Sequence, residues 1–196
     1  MSLLVTELQN ELKKNLLQAS RPALKADVNR SFQQIKKEMI QEFLKHPVTI
    51  EINRGVESTN SSGTLGGITN LFSFIGFDKG SDPIQPILDR LLSTSINLST
   101  SSGLKARYTV TLPTAQEIFA ITPLPYFEGR SWAQGIERGI SGLGYFLKKS
   151  KGSRSGFGIQ SNKVVRPGVK FKNTQYISAL INKYSKKFKK LERQVI

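Results

Sequence analysis

Ile177-Ser178-Ala179-Leu180-Ile181-Asn182-Lys183-Tyr184-Ser185-Lys186-Lys187-Phe188-Lys189-Lys190-Leu191-Glu192-Arg193-Gln194-Val195 is the stretch on which the architecture closes. Its large apolar residues, Ile177, Ile181, Tyr184, Phe188, Leu191 and Val195, recur at intervals of 4, 3, 4, 3 and 4. That spacing puts them on one side of a helix starting near Asn173 or Thr174, with lysines over much of the rest. A seam of this kind packs against another helix or groove. At about three heptads it is too short to stand as a coiled coil.

The helix sits in an uneven charge distribution. From Lys148 to Ile196 there are 14 Lys or Arg and a single acid, Glu192, giving +13; the first 147 residues carry 15 bases and 13 acids, giving +2. A nearly neutral body with a cationic C-terminal quarter points to a polyanion, an acidic protein face or an anionic surface. Within the basic quarter, Arg154 and Phe157, and Lys170-Phe171-Lys172, interleave cations with aromatics. Such interleaving tracks phosphates and stacks bases, covers an acidic partner, or simply solvates a face. The polyanion or acidic-partner candidates are Lys148, Lys149, Lys151, Arg154, Lys170, Lys172, Lys186, Lys187 and Lys190. The seam candidates for partner binding are Ile177, Ile181, Tyr184, Phe188 and Leu191.

Upstream, the pattern is an alternation of helix and strand signals. Val5, Leu8, Leu12 and Leu16 have helical spacing. Ser20-Arg21-Pro22 reads as a capped restart. A second stripe comes next in Val28, Phe32, Ile35, Met39 and Phe43, and Pro47 ends it by disfavouring helical geometry at His46. Val48 to Ile52 alternates and predicts a half-buried strand. Arg54 to Gly67 is a long Gly/Ser loop. Asp82-Pro83 predicts an N-cap and first-turn proline for a helix with Ile84, Ile87, Leu88, Leu91 and Leu92 on one face. Ile96 and Leu98, a Ser101-Ser102-Gly103 turn and the alternating run Leu104–Leu112 predict a hairpin. Thr122 to Pro125 is an extended connector, Ser131 caps a short helix, and Gly142 to Leu147 reads as a buried strand. The expectation is an α+β fold: a small, mostly antiparallel sheet flanked by a long N-terminal helical arm and a C-terminal amphipathic helix. The divisions are an arm over 1–46, a core over 47–147 with the loop at 54–67, and a basic loop plus helix over 148–196.

The inventory for chemistry is thin. The chain has no Cys and one His, His46, so disulfides and the usual zinc or iron ligand sets are not expected, and no cofactor is. The carboxylate pairs Glu7/Glu11 and Glu38/Glu42 sit four apart on polar helix faces, where solvated charge is the ordinary state. The serines of the turns have no histidine base to activate them. No run approaches the ~20 apolar residues of a membrane span, and Met1–Asn10 lacks a secretory pattern. A non-enzymatic protein with no membrane association, made in the cytoplasm, is the expectation.

Three local phrases resemble the neck or tail-completion proteins of tailed bacteriophages. Ser62-Gly63-Thr64-Leu65 after the long helix is similar to their Thr/Ser-Gly-x-Leu step. Trp132-Ala133-Gln134-Gly135-Ile136-Glu137-Arg138-Gly139 resembles their short aromatic and Glu-x-Gly segment, and the helix after Phe171–Tyr176 resembles their closing helix. Asn70–Phe77 also has the look of a virion structural protein. The resemblance implies a virion protein, assembled in the host cytoplasm, that joins copies of itself into a ring at the head–tail joint or tail end. Its partners would be neighbouring neck or tail proteins, with DNA passing nearby. The strongly basic C-terminus departs from the acidic or neutral channel linings of such rings. The competing expectation is a nucleic-acid-binding protein that uses the basic quarter.

Overall fold

The computed structural model describes residues 2–65, 70–100, 106–125, 127–139 and 174–193. The fold is α+β, and among the described residues the helices surround two separate two-stranded antiparallel ribbons. Helix α1 runs from Ser2 to Lys45 without a break, through Pro22. The restart expected at Ser20-Arg21-Pro22 is therefore not made, although Pro22 costs the helix one backbone donor. Over its second half, Val28, Phe32, Met39 and Phe43 are buried. Every described side chain before Val28 is exposed.

Pro47 does end α1, but the next segment is not a strand. Pro47–Asn53 forms helix α2. His46 is extended (φ −64°, ψ 134°) and caps it, its Nδ1 accepting the Val48 N–H at 3.3 Å, with Pro47 in the first turn. Val48, Thr49, Glu51 and Ile52 are all buried, a one-sided set that helical geometry collects and a strand would split between two faces. The apparent alternation arose because Thr49 and Glu51, read as outward polar residues, both point inward. Thr49 bonds the Tyr176 hydroxyl at 2.8 Å. Glu51, 0% exposed, accepts the Ser62 N–H on one oxygen and the Leu71 N–H on the other, both at 2.7 Å. Those two bonds anchor a point within the Gly/Ser loop, Ser62, and the start of the next helix, Leu71, to α2.

Helix α3, Leu71–Ile75, starts at Asn70. The Asn70 Oδ1 accepts the Ser73 N–H at 2.9 Å, while its Nδ2 donates to the Val56 and Ser58 carbonyls. Gly76 closes the helix at φ 86°, a conformation only glycine adopts without strain. Helix α4 spans Gln85–Leu92, two residues later than Asp82-Pro83 predicted. Asp82 still supplies the cap, its Oδ1 accepting from Ile84 N and Gln85 N, and Pro86 takes the first-turn place. Ile84, Ile87 and Leu91 are buried, but Leu92 is 47% exposed. Lys36 of α1 reaches the end of α4 and donates to the Leu92 and Thr94 carbonyls at 2.6 and 2.8 Å.

The two strands of the expected hairpin are present as β1 (Ser95–Thr100) and β2 (Ala106–Thr111), paired antiparallel from Ser95↔Thr111 to Thr100↔Ala106, while the turn expected at Ser101-Ser102-Gly103 lies outside the described residues. A full capping box, Thr114 with Glu117, opens helix α5 (Ala115–Ala120). The connector at 122–125 is part of a second ribbon, β3 (Pro123–Leu124) against β4 (Phe127–Ser131). Ser131 caps helix α6 (Trp132–Arg138) as expected, accepting the Gln134 N–H at 3.1 Å. Helix α7, Ile177–Arg193, completes the fold. Glu137 of α6 receives both the Ser178 N–H and hydroxyl at 2.6 Å, which fixes where α7 begins. At the other end, Glu192 accepts the Val110 N–H of β2 at 2.8 Å. The strand expected at Gly142–Leu147 lies outside the described residues.

One core draws on all three sequence divisions: Phe43 from the first, Trp132 from the second, Tyr184 from the third. Its aromatic centre links Phe43, Tyr176, Trp132 and Phe77, with neighbouring ring centroids 5.7–6.4 Å apart.

Candidate functional site

The seam of α7 does find a helix, and it is the chain's own. Ile177, Ile181, Tyr184, Phe188 and Leu191 are 0, 8, 2, 2 and 6% exposed. Phe188 meets Phe32 of α1 at 5.6 Å, and Tyr176 stacks near Phe43 at 6.1 Å, so α7 runs antiparallel to the second half of α1. These five residues therefore build the core and do not present a seam to another chain, which corrects the partner-binding expectation. The physical reason is that Val28–Phe43 offers a matching apolar stripe within the same chain, already tethered to α7.

Ion pairs lock the two helices along one border. Lys183 contacts the Glu42 carboxylate at 2.6 Å, where Tyr184 also donates its hydroxyl at 2.7 Å. Lys187 reaches Glu38 at 2.7 Å and lies over the Tyr184 ring at 4.9 Å. The Lys187 and Gln34 hydrogen bonds hold the Glu38 carboxyl below its ordinary pKa. At Glu42 partial burial opposes ionisation, yet the bonds from Lys183 and Tyr184 prevail and its pKa is lowered too. The Tyr184 hydroxyl is pushed up by burial and by donating to the Glu42 carboxylate.

Of the expected cations, Lys186 and Lys190 are exposed on α7, and Lys187 is engaged with Glu38. Lys148, Lys149, Lys151, Arg154, Lys170 and Lys172 lie outside the described residues. The contribution that sequence reading missed comes from α1. Arg30 and Lys37, exposed on that helix, join Lys187 and Lys190 around an open groove of about 830 Å³ between α1 and α7. Ile35 and Leu191 give the groove an apolar floor. Among the described residues that line it, Glu38 is the one acid, and it is already paired to Lys187. The signal for this site was present in the two stripes: a helix pair matched over Phe32 and Phe188 brings the flanking charges of both helices to a common border.

The second feature is the first half of α1. Leu8 and Leu12 are 61% and 55% exposed, and Leu24 is 40% exposed. The 44-residue helix is about 66 Å long, of which residues 2–27 account for about 39 Å ahead of Val28, the first of its described side chains that is buried. Among the described residues, no group of His, Cys, Asp and Glu is arranged to hold a metal ion, and no helix is long and apolar enough to cross a membrane. No family model, curated protein or solved structure matches the chain.

Proposed function

We propose that this chain is a non-enzymatic structural subunit that joins copies of itself into a ring at the neck or tail end of a tailed bacteriophage. The observation that carries the reading is that every described side chain of α1 before Val28 is exposed. A helix that leaves Leu8 and Leu12 in solvent, while its own second half forms the core, has the build of an assembly element. Isolated helices in water draw little stability from propensity alone, so such an arm gains order from what covers it. The phrases Ser62–Leu65 and Trp132–Gly139 support the same reading through their likeness to tail-completion proteins. The subunit would be assembled in the host cytoplasm and retained in the virion. The test is sedimentation of the purified protein, alone and with tail tubes. Discrete oligomers that co-sediment with tails are the expected result, and a monomer that never associates with tails defeats the proposal.

A second reading, nucleic-acid binding, is favoured by the exposed Arg30, Lys37, Lys186, Lys189 and Lys190 on two adjoining helices. Phosphate contacts by these residues predict a steep loss of affinity with salt. Replacing Lys37 and Lys190 by Ala would lower the salt slope by about two. An unchanged slope removes these residues from any such site.

A further inference from the structure

We infer that the groove between α1 and α7 receives the N-terminal arm of a second copy of this chain. The inference deepens the ring proposal and rests on it, since it names the surfaces through which copies would join.

Two half-sites on this molecule are complementary. The arm presents Leu8 and Leu12, one helical turn apart, beside Glu7 and Glu11, also one turn apart. Residues 2–12 contain two acids and no Lys or Arg, and Lys13 and Lys14 follow directly, so the acidic character belongs to the tip of the arm alone. The groove has the opposite character. Its floor is Ile35 and Leu191, and its rim carries Lys37 and Lys190, together with Arg30, paired to Asp27 at 3.2 Å, and Lys187, paired to Glu38. At about 830 Å³ it far exceeds the roughly 30 Å³ occupied by one liquid water, so it takes side chains. The ridge with Glu7 and Glu11 matches the apolar floor with Lys37 and Lys190, the two rim cations without an ion pair among the described residues.

The arm cannot serve its own groove. Leu12 and Gln34, the latter in the groove lining, lie on one unbroken helix, 22 residues and about 33 Å apart. Nor can the arm's ridge turn toward its own core. Twenty residues separate Leu12 from Phe32 and Leu8 from Val28. At 3.6 residues per turn this is about 5.6 turns, so the ridge lies on roughly the opposite side of α1 from the core stripe. The ridge of one copy is thus left for the groove of the next. The contact is heterologous: it closes into a ring when the rotation between copies divides a full turn, and otherwise grows as a filament.

Because the chain has no native cysteine, disulfide trapping gives a clean test. The full chain carrying Leu12→Cys with Gln34→Cys, oxidised after assembly, should give a ladder of covalent oligomers that collapses on reduction. Monomer alone after oxidation overturns the inference, as does a dimer from Leu12→Cys by itself, which would mean arm-to-arm pairing. A second experiment uses charge. The Glu7→Lys/Glu11→Lys chain and the Lys37→Glu/Lys190→Glu chain should each lose oligomers on sizing, and mixing them one to one should restore them, since the reversed arm of one then meets the reversed groove of the other. Assembly by either variant alone overturns the inference. If deletion of residues 1–15 leaves native oligomers, arm-in-groove contact is wrong while the ring proposal stands. If the intact chain stays monomeric alone and with tails, both fall.

Discussion

The two halves of α1 obey the same backbone geometry and live in different solvents. From Val28 onward the helix is a wall of the core, with Phe32, Met39 and Phe43 at 2, 0 and 1% exposure. Before Val28 every described side chain is in water. The comparison separates what makes a helix from what makes a fold. The second half is held by burial against α7 and α4, the first by continuity with the second and by local propensity. Burying an apolar side chain is worth about 1.5–3 kcal/mol, whereas intrinsic propensity differs among ordinary residues by under about 0.7 kcal/mol per residue.

The sharpest way to break the contrast is to remove matched side chains from each half. Phe43→Ala should cost about 3–5 kcal/mol of unfolding free energy, because the site sits among Tyr176 and the α7 residues and cannot collapse freely. Leu12→Ala should cost the monomer under about 0.5 kcal/mol. Denaturant titrations of the two variants measure both, and comparable losses would mean that the arm is not bare. Glu51→Gln asks whether the buried half also depends on polar groups. One of the two N–H groups, of Ser62 or Leu71, then meets an amide N–H instead of an oxygen, and a loss of about 1.5–3 kcal/mol is expected in the same titration, with faster proteolysis in the 54–67 loop. Thr114→Ala, which removes the capping box of α5, should cost about 1 kcal/mol.

The smallest effect is a pH dependence. Burial lowers the pKa of His46 below its ordinary 6.5, against the opposing influence of the Gln175 carbonyl and the Glu42 charge. Its neutral Nδ1 is the acceptor that caps α2. The unfolded chain takes up the proton first, so this contribution is intact above about pH 6.5 and is lost as pH falls through the lower folded-state value. Glu38 and Glu42, also lowered, add a second loss that begins only below about 4.5. In His46→Asn, which retains a capping side chain, the upper step in the unfolding midpoint should vanish and the lower one persist. An unaltered upper step would assign it to another group.

Much of this was legible in the residues, and the failures have identifiable causes. The α7 seam, the Val28–Phe43 stripe, the hairpin and the Ser131 cap follow from periodicity and capping chemistry, which are local. The identity of the seam's partner is not local. Spacing says that a helix is needed, and only the fold says that α1 supplies it. Val48–Ile52 misled because five residues fit a period of 2 as well as a short helix whose buried side includes two polar residues. The decisive fact, Glu51 turned inward onto two backbone amides, depends on a loop and a helix start distant in sequence. Helix α3 has five residues, too few for a period to register. Thr114 and Glu117 carried a readable capping signature. The groove was missed because its cations come from Arg30 and Lys37 as well as from the basic quarter, and only pairing the two apolar stripes with each other joins them.

Glu192 is the one acid among the last 49 residues, and it sits against Val110 N–H on β2. A two-stranded ribbon has two open flanks, each a template on which another extended chain can add. With the Val110 amide occupied by a carboxylate from α7, β2 offers an incoming strand neither that donor nor a neutral approach at that end. At Val110 the β2 flank is thereby a poorer template for an added strand, so a residue that reads as a stray acid in a basic helix acts as a guard on a sheet edge.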